Sequence, residues 1–370
     1  MTAGTLENPY QVIIEKMMEY PAGVPMKGGE VSPAFEKYIK LLFTPEEAEI
    51  AQHLEIKPLP AEAIAPRIGK TVDETKEILD RFTDAGLIHD VFGYSLFLVM
   101  PHLMNTGFKN SNAYKRLGRK GAELFQQFFV VEKFYKRYES SDAGTSQSRI
   151  IPLGKSIKQN SEIVNTEEIH RIIDESARPI VITDCPCRGR AEELGTRECQ
   201  DKYPVKDSCF QFGFFGDYFL RSGQGRELSV EDAHQLVDQN AKLGLIFTTD
   251  NSRDHNHQIL CCCCGCCCSF LKGMTRFADK NENCIAKANY LASVESEVCK
   301  GCGVCVKRCV FGAVQIKNEK AQVTADLCFG CGVCAVTCRT EAMGLERIER
   351  SHIYENPMEL MAKIYTENRE

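Results

Sequence analysis

Several things are missing from this 370-residue chain, and each absence removes a class of function. No apolar run approaches the roughly eighteen residues that a membrane span requires, so no span is expected. The opening residues, "MTAGTLENPY", have neither a basic start nor an apolar core, and a secretory signal is not expected. There is no G-x-G-x-x-G and no P-loop sequence, hence no nucleotide fingerprint, and no acid–base pair stands out. Positive charge is not in excess either. A net charge of -6 and a pI near 5.9 argue against a whole-chain nucleic-acid binder. What is left is a soluble, cytoplasmic chain long enough for two to four domains with buried cores.

Against these absences stand twenty cysteines. Without an export signal they point away from disulfides and toward metal, because the cytosol keeps thiols reduced. Inert buried thiols explain one or two, such as Cys284, but not clusters at regular spacing.

The last third contains a repeat with a period of 29 residues: "VESEVCKGCGVCVKRCVFGAV" from Val294 and "VTADLCFGCGVCAVTCRTEAM" from Val323. Each carries C-x2-C-x2-C-x3-C: Cys299, Cys302, Cys305 and Cys309, then Cys328, Cys331, Cys334 and Cys338. Three thiolates so spaced can wrap one corner of a cubane while Gly301, Gly303, Gly330 and Gly332 keep the loop close. Two structural zinc sites are the alternative, but zinc takes four thiolates from two separated knuckles, which a duplicated three-plus-one pattern does not match. The segment resembles a bacterial two-cluster 4Fe–4S ferredoxin domain, in which the fourth cysteine of each repeat crosses to the other cluster. The resemblance implies one cluster on Cys299, Cys302, Cys305 and Cys338, another on Cys328, Cys331, Cys334 and Cys309, and a small pseudo-twofold α+β unit that passes single electrons. Such ferredoxins usually place proline after each fourth cysteine; here Val310 and Arg339 stand there. Ligation does not need the proline, and the regained backbone donors and the Arg339 charge favour the reduced, more negative cluster.

The middle region is a second cysteine constellation: Cys185, Cys187, Cys199, Cys209 and the run "CCCCGCCC" at 261–268. "RPIVITDCPCRGR" reads as a buried strand over 180–183 delivering a C-P-C pair, followed by a helix. "LSVEDAHQLVDQNAKLGLIFTT" reads as a helix capped by Ser229 and stopped at Gly244, then a strand. Neighbouring side chains of extended chain point to opposite faces, so the run either coils around one cluster or serves two sites on opposite sides. Adjacent cysteines also make strained disulfides. A metal-binding loop is expected. The whole arrangement resembles a set of 4Fe–4S proteins of anaerobes that carry a C-x-C-R motif, single cysteines and such a run ahead of a two-cluster ferredoxin. The resemblance implies one or two additional iron–sulfur clusters on Cys185, Cys187, Cys199 and Cys209 together with Cys261, Cys263, Cys264, Cys266, Cys267 and Cys268. Cys262 is the least expected ligand, because relatives commonly lack a cysteine there, and Cys284 the next. A zinc or metallothionein-like site is the rival. His255 and His257 precede the run and read as a solvated loop. Arg188 and Arg190 can offset cluster charge or lie on a helix surface.

In the first third, "TPEEAEIAQHL" and "TVDETKEILDRFTDAG" open with capping boxes, Thr44 with Glu47 and Thr71 with Glu74. With the short helix of "LPAEAIAPRIG" and two strands around Gly93 they give the order of a winged helix-turn-helix. Residues 45–100 hold eleven acidic against five basic side chains, a face that would repel DNA and suits protein docking. Residues 101–139 hold eight basic against three acidic ones; a basic, aromatic helix could bind nucleic acid, but docking on that acidic face or on an acidic partner is the simpler expectation.

The expected architecture is an α+β multidomain chain: a winged-helix-like unit with a basic helix at 1–138, an α/β Cys-rich unit at 150–290, a two-cluster ferredoxin fold at 291–348 and a terminal helix at 349–370. Residues 139–148 read as a polar linker. The expected function is single-electron transfer with a redox partner protein, as part of a larger anaerobic redox chain and without nucleic acid. A catalytic middle cluster, making the chain an oxidoreductase, and a redox-sensing winged-helix regulator are the alternatives.

Overall fold

Polar side chains that accept backbone N–H groups begin most of the N-terminal helices, as the capping sequences predict. The computed structural model describes residues 8–96, 111–164, 167–253, 257–276 and 281–370. α1 (Pro9–Met17) starts on Asn8 and is followed by a hairpin of β1 (Met26–Lys27) and β2 (Glu30–Val31). α2 (Pro33–Leu42) starts on Ser32, and α3 (Pro45–Ala51) on the reciprocal Thr44–Glu47 box. α4 (Ala61–Ile68) precedes α5 (Val72–Asp84), which opens on the Thr71–Glu74 box. Gly86, at φ 72°, ends α5: its N–H bonds Thr83 O and that of Leu87 bonds Phe82 O, the Schellman pattern. β3 (Ile88–His89) then pairs with β4 (Ser95–Leu96). Asp73, Glu74, Glu77, Asp80 and Asp84 are all exposed on α5.

The basic segment forms α6 (Asn112–Phe125), a π-helical continuation (Gln126–Val131) and α7 (Phe134–Glu139). Its docking on the acidic region is carried by Arg116, whose guanidinium bonds both carboxylate oxygens of Glu47 at 2.5 and 3.0 Å and also Leu42 O at 2.8 Å. The rings of Phe125, Phe128 and Phe129 pack on one another beneath it.

The middle region is built on a six-stranded sheet in which every pairing is antiparallel. In chain order its elements are β5 (Ser148–Ile151), α8 (Ile169–Glu175), β6 (Ile180–Thr183), α9 (Pro186–Glu193), β7 (Cys209–Phe212), α10 (Gly213–Arg221), β8 (Gly225–Leu228), α11 (Val230–Leu243), β9 (Ile246–Asp250), β10 (Ile259–Cys263) and α12 (Ser269–Thr275). The spatial order is β5-β9-β10-β7-β6-β8. One face, with Ile151, Ile182, Phe210, Phe212, Phe247 and Leu260, shares a core with α8 and α11. The opposite face looks toward the N-terminal region.

The last third has two equivalent halves. β11 (Tyr290–Val294), α13 (Val304–Arg308) and β12 (Val314–Lys317) are matched by β13 (Lys320–Val323), α14 (Val333–Val336) and β14 (Met343–Arg347). β11 pairs with β14 and β12 with β13, so each sheet takes one strand from each half. α15 (Pro357–Glu367) closes the chain from an Asn356 cap. The fold is thus mixed α and β, and among the described residues no helix is long and apolar enough to cross a membrane.

The stretch 139–148 differs from the polar linker expected. Glu139, Ser140, Ser141, Ser146 and Ser148 are buried, and internal partners hold the serines: Ser140 pairs with Ser146, Ser146 Oγ donates to Asn283 O at 2.7 Å, and Ser141 Oγ donates to Glu367. Glu139 is fully buried and accepts from Asn281 Nδ2 at 3.3 Å. Burial pushes its carboxyl well above the usual range, only partly opposed by that hydrogen bond. The native state therefore holds this proton to a higher pH than the unfolded chain does. The resulting stability is complete below the unfolded value and is lost as pH rises through the native one. Glu139→Gln, neutral at every pH, is expected to lose less thermal stability than the parent as pH rises above the ordinary carboxylate range. Parallel anaerobic melts check this, and identical pH slopes would contradict it.

Candidate metal centres

The cysteine run is half strand and half turn rather than a loop. β10 contains Cys261, Cys262 and Cys263, paired on both sides with β9 and β7, and the chain then turns through Cys264, Gly265, Cys266 and Cys267. Strand alternation sends Cys261 and Cys263 to one face and Cys262 to the other. Of the two options open from sequence, the run serves opposite sides.

On the face toward the N-terminal region, Cys209 and Cys261 are in direct register, their Sγ atoms 3.6 Å apart. Cys263 Sγ lies 3.1 Å from Cys268 Sγ. Cys185, the N-cap of α9, and Cys187 in its first turn complete the group of free thiols: Cys187 is hydrogen-bonded to both Cys185 and Cys268, and Cys261 to Cys263. Six sulfurs thus form a continuous chain of contacts around one cavity. Hydrogen bonds from Cys261 and Cys268 draw the Cys263 thiol down to about 5, while Cys261 and Cys268 are driven up. Neutral donors surround the sulfurs. Gln211 Nε2 donates to Cys209 Sγ at 3.3 Å, Thr248 Oγ1 lies 3.5 Å from Cys263 Sγ, and Ser269 Oγ lies 3.5 Å from Cys187 Sγ.

On the other side, Cys199 joins Cys264, Cys266 and Cys267, with all four Sγ atoms within 4.8 Å of one another. The structure therefore separates Cys199 from Cys185, Cys187 and Cys209. Cys262 is buried among the apolar residues of the sheet's packed face, and burial raises its thiol well above the usual range. Cys284, also fully buried, has its thiol raised by burial and by Glu139. His255 lies outside the described residues; His257 is buried with Nδ1 3.2 Å from Thr249 Oγ1.

Arg188 and Arg190 are not surface residues. Arg188 is completely buried; its Nη1 donates to Cys262 O at 3.0 Å, and its Nε and Nη2 find no oxygen or nitrogen partner, with Cys185, Cys262 and Cys264 around them. Arg190 lies over the Phe125 ring at 4.7 Å and donates to Ser269 Oγ at 3.2 Å, with Cys187 and Cys185 beside it. A buried guanidinium without a counter-charge costs several kcal/mol. Ionised thiols, free or on a metal, are the groups close enough to supply that charge.

In the last third, Cys328, Cys331 and Cys334 line one cavity with Cys309, which comes from the other repeat. Phe311 and Phe329 stack at 4.3 Å on its wall. Cys299 and Cys302 lie close enough to Cys305 for their charges to raise its thiol, although burial raises it more. Backbone N–H groups point at sulfur: Ala321 at Cys299 Sγ, 3.4 Å, and Ala313 at Cys309 Sγ, 3.3 Å. Burial opposes ionisation of Cys338, but hydrogen bonds from the Thr340 hydroxyl and the Met343, Thr340 and Ala342 backbone hold it below the usual thiol range. Burial pushes Cys331 up to about 12, so metal binding there must displace protons.

Close approach fixes Gly301 and Gly330. A Cβ on Gly330 (φ 71°) would sit 2.2 Å from Tyr290 O, and one on Gly301 (φ 63°) 2.2 Å from Glu319 O, whereas Gly303 (φ 73°) faces open space. Gly330→Ala is expected to lose most of the metal bound by Cys309, Cys328, Cys331 and Cys334, and Gly303→Ala to keep most of its own. Metal content per chain after anaerobic purification checks this, and equal retention in both variants would contradict it. Compared with protein-family models and with curated proteins, the chain matches none, so its chemistry rests on these thiols and their surroundings.

Proposed function

We propose that this chain is an iron–sulfur electron carrier, with two 4Fe–4S clusters in its last third and a further cluster on the six thiols of Cys185, Cys187, Cys209, Cys261, Cys263 and Cys268. The observation that supports this most is Cys309 meeting Cys328, Cys331 and Cys334 across the repeat. Crossed cubanes need that exchange, and two independent zinc knuckles do not. On this reading the paired halves are a ferredoxin fold, and the three helices and hairpin are a winged-helix module whose acidic α5 binds protein rather than DNA. Bound clusters would supply reversible one-electron storage. The chain's own residues direct N–H and O–H groups at sulfur and place Arg188 and Arg190 against the charge. Six thiols linked in one chain around a single cavity exceed the four that one tetrahedral ion accepts, which favours a polynuclear centre there. The turn of the run packs on the repeat beside Cys309: a Cβ on Gly265 would lie 3.2 Å from Val310 Cβ. Electrons entering through a redox partner protein thus have a short route between the two regions.

A second reading, that the six-thiol centre is catalytic, is favoured by one feature. A cleft of about 1700 Å³, counting its open mouth, reaches Cys261 between α10, α15 and the sheet. Cys261 is also half-buried, whereas the other five thiols are buried. Asp250, its carboxyl raised by burial to about 6, lines the same cleft with Tyr20 and Tyr138.

Anaerobic protein is expected to be brown, with about twelve irons and as many sulfides per chain. Colourless protein with zinc in place of iron would overturn the proposal. Low-temperature EPR of the reduced protein separates carrier from enzyme. A small thiol that enters the cleft should alter one signal and leave the ferredoxin-type signals unchanged if the centre is catalytic, and alter none if it is only a relay.

A further inference from the structure

The four-thiol group differs from the six-thiol group in closing on itself: all four of its Sγ atoms lie within 4.8 Å of one another, whereas the six are linked pair by pair in an open chain. Cys199 and Cys267 are 3.7 Å apart at Sγ, Cys264 and Cys266 3.6 Å, and Cys266 and Cys267 3.6 Å. A tetrahedral ion with metal–sulfur bonds of about 2.3 Å sets its four sulfurs about 3.8 Å apart. A cubane, with an iron behind each thiolate, holds them several ångströms farther apart. Four sulfurs that all lie within 4.8 Å of one another fit around one ion and leave no room for inorganic sulfide between them.

The local backbone explains how four thiols reach one point. Cys264 to Cys267 form a tight turn closed by the Cys268 N–H on Cys264 O at 3.3 Å, which brings three sulfurs to one side. Cys199 arrives from a second turn after α9, 68 residues away from Cys267 in sequence. Cys199, Cys264 and Cys267 are buried and Cys266 half-buried, so the site is nearly closed.

Its surroundings ask for negative charge. Arg188 is completely buried and has Cys264 within hydrogen-bonding reach of its guanidinium. Arg197 bonds Cys199 Sγ as well as Glu192 and Tyr203 O, and its Nε has no oxygen or nitrogen partner. Four thiolates on one divalent ion would carry two negative charges; the buried Arg188 faces them without a carboxylate partner among the described residues, and Arg197, shared with Glu192, adds a second donor at Cys199.

We propose that Cys199, Cys264, Cys266 and Cys267 bind a single tetrahedral divalent ion of the thiolate-preferring class, zinc or ferrous iron, separate from the clusters. The ion clamps the run to the turn at Cys199 and so fixes the end of β10, on whose other face the six-thiol group is assembled. The inference rests on thiolate–metal chemistry and not on electron transfer, so it stands or falls independently of the carrier reading.

The test uses the full chain purified without air, comparing the parent with Cys199→Ser and Cys266→Ser. Each variant is expected to lose about one metal ion per chain with acid-labile sulfide unchanged. Loss of about four irons together with sulfide would overturn the proposal, as would metal content equal to the parent's. Where a variant does not fold, X-ray absorption on the parent decides. If the ion is zinc, its edge should show four sulfurs at about 2.3 Å and no iron neighbour. If it is iron, Mössbauer spectra should contain a high-spin mononuclear component in addition to the cluster signals. Absence of both would overturn the assignment.

Discussion

A β-strand presents its side chains alternately to two faces, and β10 applies that rule to thiols. Cys261 and Cys263 belong to one side of the sheet, Cys262 and the turn after it to the other. Everything distinctive about the middle region follows from this division. One face collects Cys209 from the paired strand, Cys185 and Cys187 from the start of α9, and Cys268 from just beyond the turn. The other collects Cys199. A run of seven cysteines with one glycine would be chemically unruly in a loop. Held by pairing on both edges, it becomes two groups of fixed geometry.

Charge is the second organising element. Thiolates in a dry interior need cations, and the cations must be buried with them. Arg188 lies between the two groups, near Cys185 and Cys264, while Arg190 serves the six-thiol side and Arg197 the four-thiol side. Two of these arginines come from the helix that begins with the C-P-C pair, so one short segment delivers ligands and counter-charge together.

Much of this was legible from local signals. The strand over 180–183, the helix from Ser229 to Gly244, both capping boxes and the hairpin around Gly93 depend on residues within a few positions of one another, and the structure has each of them. The two cysteine repeats were equally plain, since their spacing is itself local. What sequence reading missed depends on contacts between distant segments. Cys209 and Cys261 meet because β7 and β10 pair across 52 residues, and Cys199 leaves the company of its sequence neighbours for the turn of the run. Arg188 and Arg190 look like surface residues of a helix start until the sheet and Phe125 cover them. Residues 139–148 look like a linker by composition, yet their serines are satisfied internally. Composition reports polarity, not whether partners exist.

The central claim is that two metal centres of different kinds lie on opposite sides of β10. Anomalous diffraction from crystals grown without air, recorded across the iron and zinc edges, tests it most directly. The account predicts a multi-iron peak beside Cys261 and Cys263 and a separate single-ion peak among Cys199, Cys264, Cys266 and Cys267. One shared peak spanning the run, or metal on only one side of the strand, would contradict it.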